Sequence, residues 1–367
     1  MNKKLKVVSL FSGIGGFEFG LRNSKIETEL VFSSEIDKFA QYSYETLFGF
    51  KPEGDITEIH EFLIPDHDLL TAGFPCQAFS VAGKRLGFED TRGTLFFDIA
   101  RILDWKKPKY VLLENVKNLI SHDQTNTIKT ILQVLSDIGY SIDFDIINSK
   151  DYGVPQNRER TYIIGVLDGP LEPWEQTSSS NQVNKIKQHF NETNSINTFN
   201  FNFNPNVHKD SKISNIQSIL ESNVPESFFL DDMIVEKLNK IGQVTDISEE
   251  SDKIVKLFDI PKSLHNDNER QRRVYSPHGI APTVLARTDA AKILVNDSNN
   301  YRIRKITPFE SFRLQGFSTS TYQKLLEANL SNTQLYKQAG NAVTVNVVES
   351  IANSIYERFL EKVKNYV

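Results

Sequence analysis

Short apolar segments alternate with segments of helical periodicity through the first half of the chain. Brief apolar runs that end in polar or glycine residues predict strands at 6–11, 30–34, 68–72, 109–114, 140–148 and 161–167. Apolar side chains that recur every three or four residues predict helices over 37–48, near 95–103 and near 128–135. This alternation is typical of an α/β domain with a mainly parallel, doubly wound sheet, which binds ligands beyond the carboxyl ends of its strands.

The pattern changes after about residue 170. Ser- and Asn-rich stretches appear there, and the periodicity stays weak to residue 300. Apolar periodicity returns at 307–316 and 343–360. Because 367 residues exceed one average domain, we predict a main α/β domain from 1–175 and 335–367. A smaller, irregular domain is predicted over 176–300, and a hinge or return segment over 301–334.

Composition and charge narrow the function classes. The chain is 39% hydrophobic and 24% charged, and no apolar run is long enough to span a membrane, so we expect a cytoplasmic protein. Its single cysteine, Cys76, excludes internal disulfides and multi-cysteine metal sites, and no bound metal is expected. The net charge of −5 conceals a basic stretch at 262–305, where nine Lys and Arg against four Asp and Glu give +5. That stretch fits either a DNA-binding wall or a solvated face.

A nucleoside site is predicted after the first two strands. Residues 11–16 (FSGIGG) follow the first strand and open a helix, and their glycines let a ligand approach the backbone. Glu18 stands where the dinucleotide fingerprint needs its third glycine, which argues against a nicotinamide or flavin cofactor. Glu35, at the end of the second strand, suits ribose hydroxyls, and Asp55 is a further candidate.

Three later strand ends carry reactive or charged side chains. Cys76 follows a strand within GFPCQ, and its polar neighbours favour a thiolate nucleophile over an inert core cysteine. Glu114 ends another strand, where a shielded carboxyl can share a proton with a ring nitrogen. Arg158 and Arg160, two residues apart, would point to the same side and hold a base carbonyl or a phosphate, or else form a surface ion pair with Glu159.

The ordered set of motifs resembles the bacterial DNA cytosine-5 methyltransferases. The motifs are Phe-x-Gly-x-Gly-Gly, Pro-Cys-Gln, Glu-Asn-Val, Gln-x-Arg-x-Arg and Gly-Asn-Ala-Val at 340–343. The stretches 51–56, 64–101 and 151–160 are similar to the small single-chain members of type II restriction–modification systems. The resemblance covers 5–167 and 270–350, whereas 176–268 has no recognisable match. It implies a Rossmann-like, S-adenosylmethionine-dependent catalytic domain facing a smaller target-recognition domain across a DNA-binding cleft.

The resemblance implies a role at individual positions. Cys76 would be the nucleophile, Glu114 would contact ring nitrogen 3 of cytosine, and Arg158 and Arg160 would support the base and the catalytic pair. The cofactor S-adenosyl-L-methionine, which leaves as S-adenosyl-L-homocysteine, would bind at Phe11, Ile14, Gly16, Glu35, Ile36, Asp55, Ile56, Pro75, Leu95, Asn341 and Val343. The DNA contacts would come from Ser80, Lys84, Arg92, Arg270, Arg272, Arg273 and Thr283.

Two positions depart from patterns found in the family. Ser9 stands where some members have an acidic residue, and Ile36 stands where others stack an aromatic ring on adenine. Ile36 would still pack against the adenine face, with weaker stacking. The glycine-rich, basic segment 80–94 would close over a cytosine flipped out of the duplex, because carbon 6 cannot be reached inside the base stack.

Three alternative functions are an RNA methyltransferase, an inactive DNA-binding homologue and a nicotinamide oxidoreductase. Transfer-RNA cytosine-5 methyltransferases of the same fold carry Cys-Phe-Thr shortly after Glu-Asn-Val, whereas this chain continues Lys117-Asn118-Leu119. An inactive DNA-binding homologue would have lost a catalytic residue, and all four are present. A nicotinamide oxidoreductase is disfavoured by the broken glycine fingerprint. We therefore expect a monomeric enzyme that acts on double-stranded DNA. A cognate restriction endonuclease would be a further cellular partner if the chain is part of a restriction–modification system, which its own sequence does not indicate.

Overall fold

The chain is described by a computed structural model over residues 4–75, 94–177, 180–203, 215–240, 249–266, 268–297 and 300–361. By its internal contacts it divides into two compact units. The first unit consists of residues 1–147, 159–204 and 347–367, and the second of residues 148–158 and 205–346. This division differs from the boundaries predicted near residues 175 and 335. No helix in the described ranges is both long enough and apolar enough to cross a membrane.

Strands and helices alternate over the first part of the chain, as the periodicity predicts. The strands are β1 (Leu5–Leu10), β2 (Thr28–Ser34), β3 (Leu69–Gly73), β4 (Tyr110–Val116), β5 (Tyr140–Asn148), β6 (Gln156–Asn157), β7 (Glu159–Leu167), β8 (Lys256–Asp259), β9 (Arg273–Tyr275), β10 (Ala281–Pro282), β11 (Lys292–Asp297) and β12 (Asn300–Lys305). The α-helices are α1 (Gly16–Asn23), α2 (Lys38–Phe48), α3 (Leu95–Lys106), α4 (Asn126–Ile138), α5 (Asn181–Thr193), α6 (Asp232–Lys240), α7 (Pro308–Arg313), α8 (Thr319–Glu327), α9 (Asn332–Asn341) and α10 (Val345–Ile355). A π-helical turn (Tyr356–Leu360) follows α10.

The first unit is built on a six-stranded sheet in the order β2-β1-β3-β4-β7-β5. Strands β1 to β4 pair in parallel, whereas β7 runs antiparallel to β4. The α/β prediction is confirmed, and the sheet is mixed rather than wholly parallel. Strands β2 and β3 lie on opposite sides of β1, so the chain reverses its direction of winding there. In open α/β sheets such a switch point creates the crevice in which ligands bind.

Helix α5 belongs to the first unit, although the composition changes before it. Its buried residues Val183, Ile186 and Phe190 join the same apolar cluster as α3, α4 and the central strands. The ammonium group of Lys187 lies 2.7 Å from an oxygen of Asp143 on β5, and both side chains are almost fully buried. The Ser- and Asn-rich composition after residue 170 therefore does not mark the end of this unit.

The second unit is mainly β-structure with short helices. Its larger sheet has the order β12-β11-β9-β8, and a two-stranded parallel sheet joins β10 to β6. Helix α7 begins with a capping box between Thr307 and Glu310, so the segment predicted to be regular at 307–316 is helical at its start. Two apolar clusters fill the interior of this unit, one around Leu238, Ile260 and Val274 and one around Ile216 and Ile293.

Candidate nucleoside and catalytic site

The ends of the four parallel strands lie side by side. The strand register places Leu10 beside Ser34 and Ala72, and it places Gly73 beside Glu114. The segments that follow these strands therefore meet at one edge of the sheet. This edge brings together the glycine-rich turn 11–16, Glu35, residues 74–75 and Glu114, which are the strand-end residues singled out from the sequence.

The turn after β1 has the backbone that its glycines allow. Gly13 and Gly15 have positive φ angles of 56° and 87°. A methyl group on Gly15 would lie 2.3 Å from the ring of Phe48, so no side chain fits there. The amide of Gly13 donates to Glu35 Oε2 at 2.8 Å, and the amide of Asp37 donates to Glu35 Oε1 at 2.8 Å. Two amides thus orient this carboxylate, and each oxygen retains a lone pair that can accept from a ribose hydroxyl.

The other predicted cofactor residues of the first unit lie on neighbouring loops and helix starts. Ile36, next to Glu35, is 68% exposed, an unusual exposure for an isoleucine. The Asp55 carboxylate accepts from the amide of Thr57 at 2.9 Å and caps a short 3-10 helix (Ile56–Glu58) in which Ile56 is buried. Pro75 is exposed, Leu95 is the partly buried first residue of α3, Phe11 is partly buried with a φ angle of 54°, and Ile14 and Gly16 are buried.

An ion pair lies at the end of β4. The guanidinium Nε of Arg160, on β7, is 3.2 Å from Glu114 Oε1, and only 17% of the arginine side chain and 11% of the glutamate side chain are exposed. The side-chain amide of Asn115 donates to the carbonyl of Phe74 at 2.8 Å and fixes the segment that leads to Cys76. Cys76 itself lies outside the described residues, as do Ser80, Lys84 and Arg92.

The two arginines of the Gln-x-Arg-x-Arg motif make different contacts. Arg158 is 2% exposed, and its Nη2 donates to the carbonyl oxygens of Ala342 at 2.9 Å and Gly340 at 3.2 Å within the second unit. It lies between β6 and β7, outside regular strand structure, so the two-residue strand periodicity does not set its direction. The carboxylate of Glu159 forms an ion pair with Lys117 at 2.8 Å. The guanidinium of Arg160 therefore pairs with Glu114 rather than with Glu159.

The Gly-Asn-Ala-Val motif lies in the second unit. Asn341 is the exposed last residue of α9, and Val343 is buried. A methyl group on Gly340 would lie 2.2 Å from the amide nitrogen of Ala286, so glycine is needed for this close approach of two backbones.

The basic residues at 270–273 differ in their contacts. Arg272 donates to the carbonyl of Ile260 at 2.7 Å, and Arg273 pairs with Glu269 at 2.6 Å. Arg270 is exposed and has no hydrogen bond or ion pair with any residue in the described part of the chain. It lines a cavity of about 690 Å³ in the second unit, together with Arg273 and Thr283. Thr283 donates its hydroxyl hydrogen to the carbonyl of Asn157 at 2.7 Å.

Two supporting residues were not predicted from the sequence. Asn115 donates to the Phe74 carbonyl and belongs to the Glu-Asn-Val motif. The motif marks this residue as one to examine, but it does not indicate which group the side chain contacts. Lys292 is 1% exposed and donates to the backbone carbonyl of Gln271, the residue that follows Arg270. A lysine in a strand is normally read as an exposed residue, so no sequence signal indicates this role. In the described ranges, no three His, Cys, Asp or Glu side chains could hold a metal ion.

Comparison with known proteins gives consistent matches over nearly the whole chain. The family model for C-5 cytosine-specific DNA methylases matches residues 5–357. The chain is 37% identical to the type II methyltransferase M.HhaI of Haemophilus parahaemolyticus, over 96% of this chain and 94% of that protein. It is 39% identical to the type II methyltransferase M.HaeII of Haemophilus aegyptius, over 96% and 93%. The orphan methyltransferase M.SPRI of Bacillus phage SPR is 33% identical, over 98% and 99%.

Solved structures show the same fold. The structure of the Schizosaccharomyces pombe Dnmt2 methyltransferase matches with a TM-score of 0.67 at 19% sequence identity, over 97% of this chain and 100% of that one. At this identity the match shows the fold alone. The chain and that solved structure therefore share one fold.

Proposed function

The chain belongs to the C-5 cytosine-specific DNA methylases, and we propose that it transfers the methyl group of S-adenosyl-L-methionine to carbon 5 of a cytosine flipped out of double-stranded DNA. The activity of the family, methylation of cytosine at carbon 5 in DNA, is the activity of this chain. The observation that carries the proposed chemistry is the shielded Glu114–Arg160 ion pair. It lies at the edge of the sheet to which Asn115 ties the segment leading to Cys76.

The residues at this edge fit a nucleoside cofactor. Glu35 presents a carboxylate already oriented by two backbone amides, and the space beside Gly13 in the turn 11–15 is open, since a methyl group there would meet no atom within 4 Å. The exposed side chain of Ile36 offers an apolar surface for a purine ring. S-adenosyl-L-methionine, when bound, supplies an electrophilic methyl group. We assign Glu35 to the ribose and Ile36 to the adenine, with Phe11, Ile14, Gly16, Asp55, Ile56, Pro75, Leu95, Asn341 and Val343 as further contacts.

The protein supplies the nucleophile and the proton transfers. The thiolate of Cys76 adds to carbon 6 of the cytosine, a position that can be reached only when the base leaves the stack. Glu114 shares a proton with ring nitrogen 3 and so stabilises the charge that develops on the ring, while Arg160 holds the carboxyl in place. Carbon 5 then becomes nucleophilic and accepts the methyl group. A base removes the proton from carbon 5, and the thiolate of Cys76 departs.

This assignment predicts cytosine methylation in one short DNA motif. Bisulfite sequencing of DNA from a methylation-deficient host that expresses the chain should show protected cytosines in that motif only. The same host expressing Cys76→Ala should show none, because Cys76 is the single cysteine of the sequence and nothing replaces its thiolate. Protected cytosines in transfer RNA rather than in DNA would instead support the transfer-RNA activity. Protection that persists in Cys76→Ala would exclude Cys76 as the nucleophile.

We further propose that the second unit recognises the target sequence and that Arg270 is the arginine that reads it. The turn that carries Arg270 is firmly held: Asn268 and Gln271 form a capping box, and buried Lys292 donates to the Gln271 carbonyl. Arg272 and Arg273 are engaged with protein groups, which leaves Arg270 exposed on a rigid support. Such a support suits a bidentate contact with O6 and N7 of guanine, the commonest specific contact of arginine with DNA.

Arg270→Ala is expected to raise the Kd for target DNA by about 10- to 100-fold, since a bidentate base contact is worth about 1–3 kcal/mol. Fluorescence anisotropy with a labelled duplex measures this change. Lys185→Ala is the matched control, because it removes one exposed positive charge from α5 in the first unit. A Kd of Arg270→Ala within twofold of the wild-type value would contradict the assignment. An equal loss on target and unrelated DNA would identify a phosphate contact instead.

The remaining expectations concern partners. We propose that one copy of the chain acts on each DNA site. The chain is similar to type II methyltransferases and to an orphan methyltransferase. A companion restriction endonuclease is therefore a partner only in the first of these two settings.

A further inference from the structure

A buried carboxyl group lies between α1 and α2, the helices that follow the turn 11–15 and the segment at Glu35. Glu18, in the first turn of α1, is 5% exposed, and the hydroxyl of Tyr44 on α2 donates to its Oε1 at 2.7 Å. Tyr44 is fully buried. Helix α1 follows the turn 11–15, and α2 follows Glu35. The Glu18–Tyr44 hydrogen bond therefore joins the two segments on which the proposed cofactor site depends.

The same carboxyl group lies against the glycine-rich turn. A methyl group on Gly15 would lie 3.4 Å from Glu18 Oε2, which is ordinary van der Waals contact. The Ser9 hydroxyl on β1 is close enough to lower the pKa of Glu18, yet neither Ser9 Oγ nor Glu18 Oε2 makes a hydrogen bond of good geometry with a described residue. Glu18 thus contacts α2 on one side and lies near Gly15, the end of the turn, and Ser9 of β1 on the other.

The turn 11–15 and the segment that begins at Glu35 are joined by contacts near the surface and in the interior. At the surface, the Gly13 amide donates to Glu35, the carboxylate assigned to the ribose. In the interior, Glu18 binds Tyr44, and the ring of Phe48 on α2 fills the space that Gly15 leaves open. The Ser12 amide and hydroxyl also donate to the Ser34 carbonyl, at 3.0 and 3.2 Å. These bonds hold the start of the turn, whereas the interior contacts hold its end at Gly15 and the first turn of α1, so their loss would let that end shift relative to Glu35.

We propose that Glu18 is a positioning residue that holds the turn 11–15 in register with Glu35 and so sets the affinity for the nucleoside cofactor without contacting it. This inference rests on the proposed use of S-adenosyl-L-methionine. Burial is the largest influence on the pKa of Glu18 and raises it, against the opposing effects of Ser9, Tyr44 and Arg22. The carboxyl accepts from the Tyr44 hydroxyl, and a glutamine amide keeps that acceptor and can donate toward Ser9.

The test measures binding of S-adenosyl-L-homocysteine to the full-length protein by isothermal titration calorimetry. Glu18→Leu should raise the Kd about tenfold, since it removes the carboxyl that accepts from the buried Tyr44 hydroxyl. Glu18→Gln should stay within about threefold of the wild-type Kd because the amide keeps the acceptor and a donor. In methyl-transfer assays, Glu18→Leu should raise the KM for the cofactor and leave kcat at saturating cofactor within about twofold.

Control variants separate positioning from general loss of stability. Leu132→Ala opens a cavity at a fully buried position of α4, a helix that contributes no residue to the proposed cofactor site, and should lower the Tm while it keeps the wild-type Kd. If Glu18→Leu does not fold, Tyr44→Phe tests the same bond and should raise the Kd about threefold. A wild-type Kd for Glu18→Leu, or for Tyr44→Phe in its place, would overturn the inference. A wild-type protein that methylates DNA but binds no S-adenosyl-L-homocysteine would instead overturn the cofactor assignment.

Discussion

Glu114→Gln is expected to lower kcat for DNA methylation by about two to four orders of magnitude, the usual contribution of a positioned general acid or base. Glutamine keeps the volume of the side chain and an oxygen that can accept from Arg160. It cannot exchange a proton with ring nitrogen 3, so the negative charge that develops on the ring when the thiolate adds is no longer stabilised. The measurement is incorporation of labelled methyl groups into DNA at saturating cofactor and DNA.

Glu159→Gln is the matched control for this prediction. It makes the same chemical change on the adjacent strand, where Glu159 forms a half-exposed ion pair with Lys117, and kcat should stay within about twofold. Both variants should retain the wild-type far-ultraviolet circular dichroism spectrum. Turnover of Glu114→Gln within about threefold of wild type would show that the Glu114 carboxyl takes no part in the chemistry.

The edge of the sheet that carries the candidate site could be predicted because it depends on position along strands. The apolar runs that become β3, β4 and β5 are buried along nearly their whole length, so they stand out from the polar loops. The residues just after them must then share an edge if the strands are parallel. Strand β2 begins at Thr28, two residues before the predicted start, because it is an edge strand whose first residues are only partly buried.

The remaining contacts depend on partners that are distant in the sequence. Lys187 and Asp143 hold α5 in the first unit across 44 residues, and no local pattern indicates that pairing. Arg158 reaches carbonyl groups at 340 and 342, whereas Arg160 pairs with Glu114. Motif spacing identified these side chains but could not distinguish their contacts. The short strands of the second unit carry too few residues for a periodicity to show.

Glu310→Ala is expected to destabilise the second unit by about 3–5 kcal/mol, the usual effect of removing one partner from a buried ion pair. Glu310 is fully buried and receives two hydrogen bonds from Arg304, at 2.8 and 2.7 Å, and one from each of the Thr307 and Glu221 amides. Alanine would leave the Arg304 guanidinium, 3% exposed, without its counter-charge. Urea unfolding followed by circular dichroism gives the change in the free energy of unfolding.

Glu226→Ala makes the same substitution in the ion pair of the neighbouring arginine on β12. Glu226 is 75% exposed in its contact with Arg302, so its loss should cost less than about 1 kcal/mol. Hydrogen exchange of peptides from 300–313 should rise in Glu310→Ala and stay near wild type in Glu226→Ala, since only the first variant removes the buried anchor of β12 and α7. Equal effects of the two substitutions would mean that burial of the Arg304–Glu310 pair does not determine the stability of this unit.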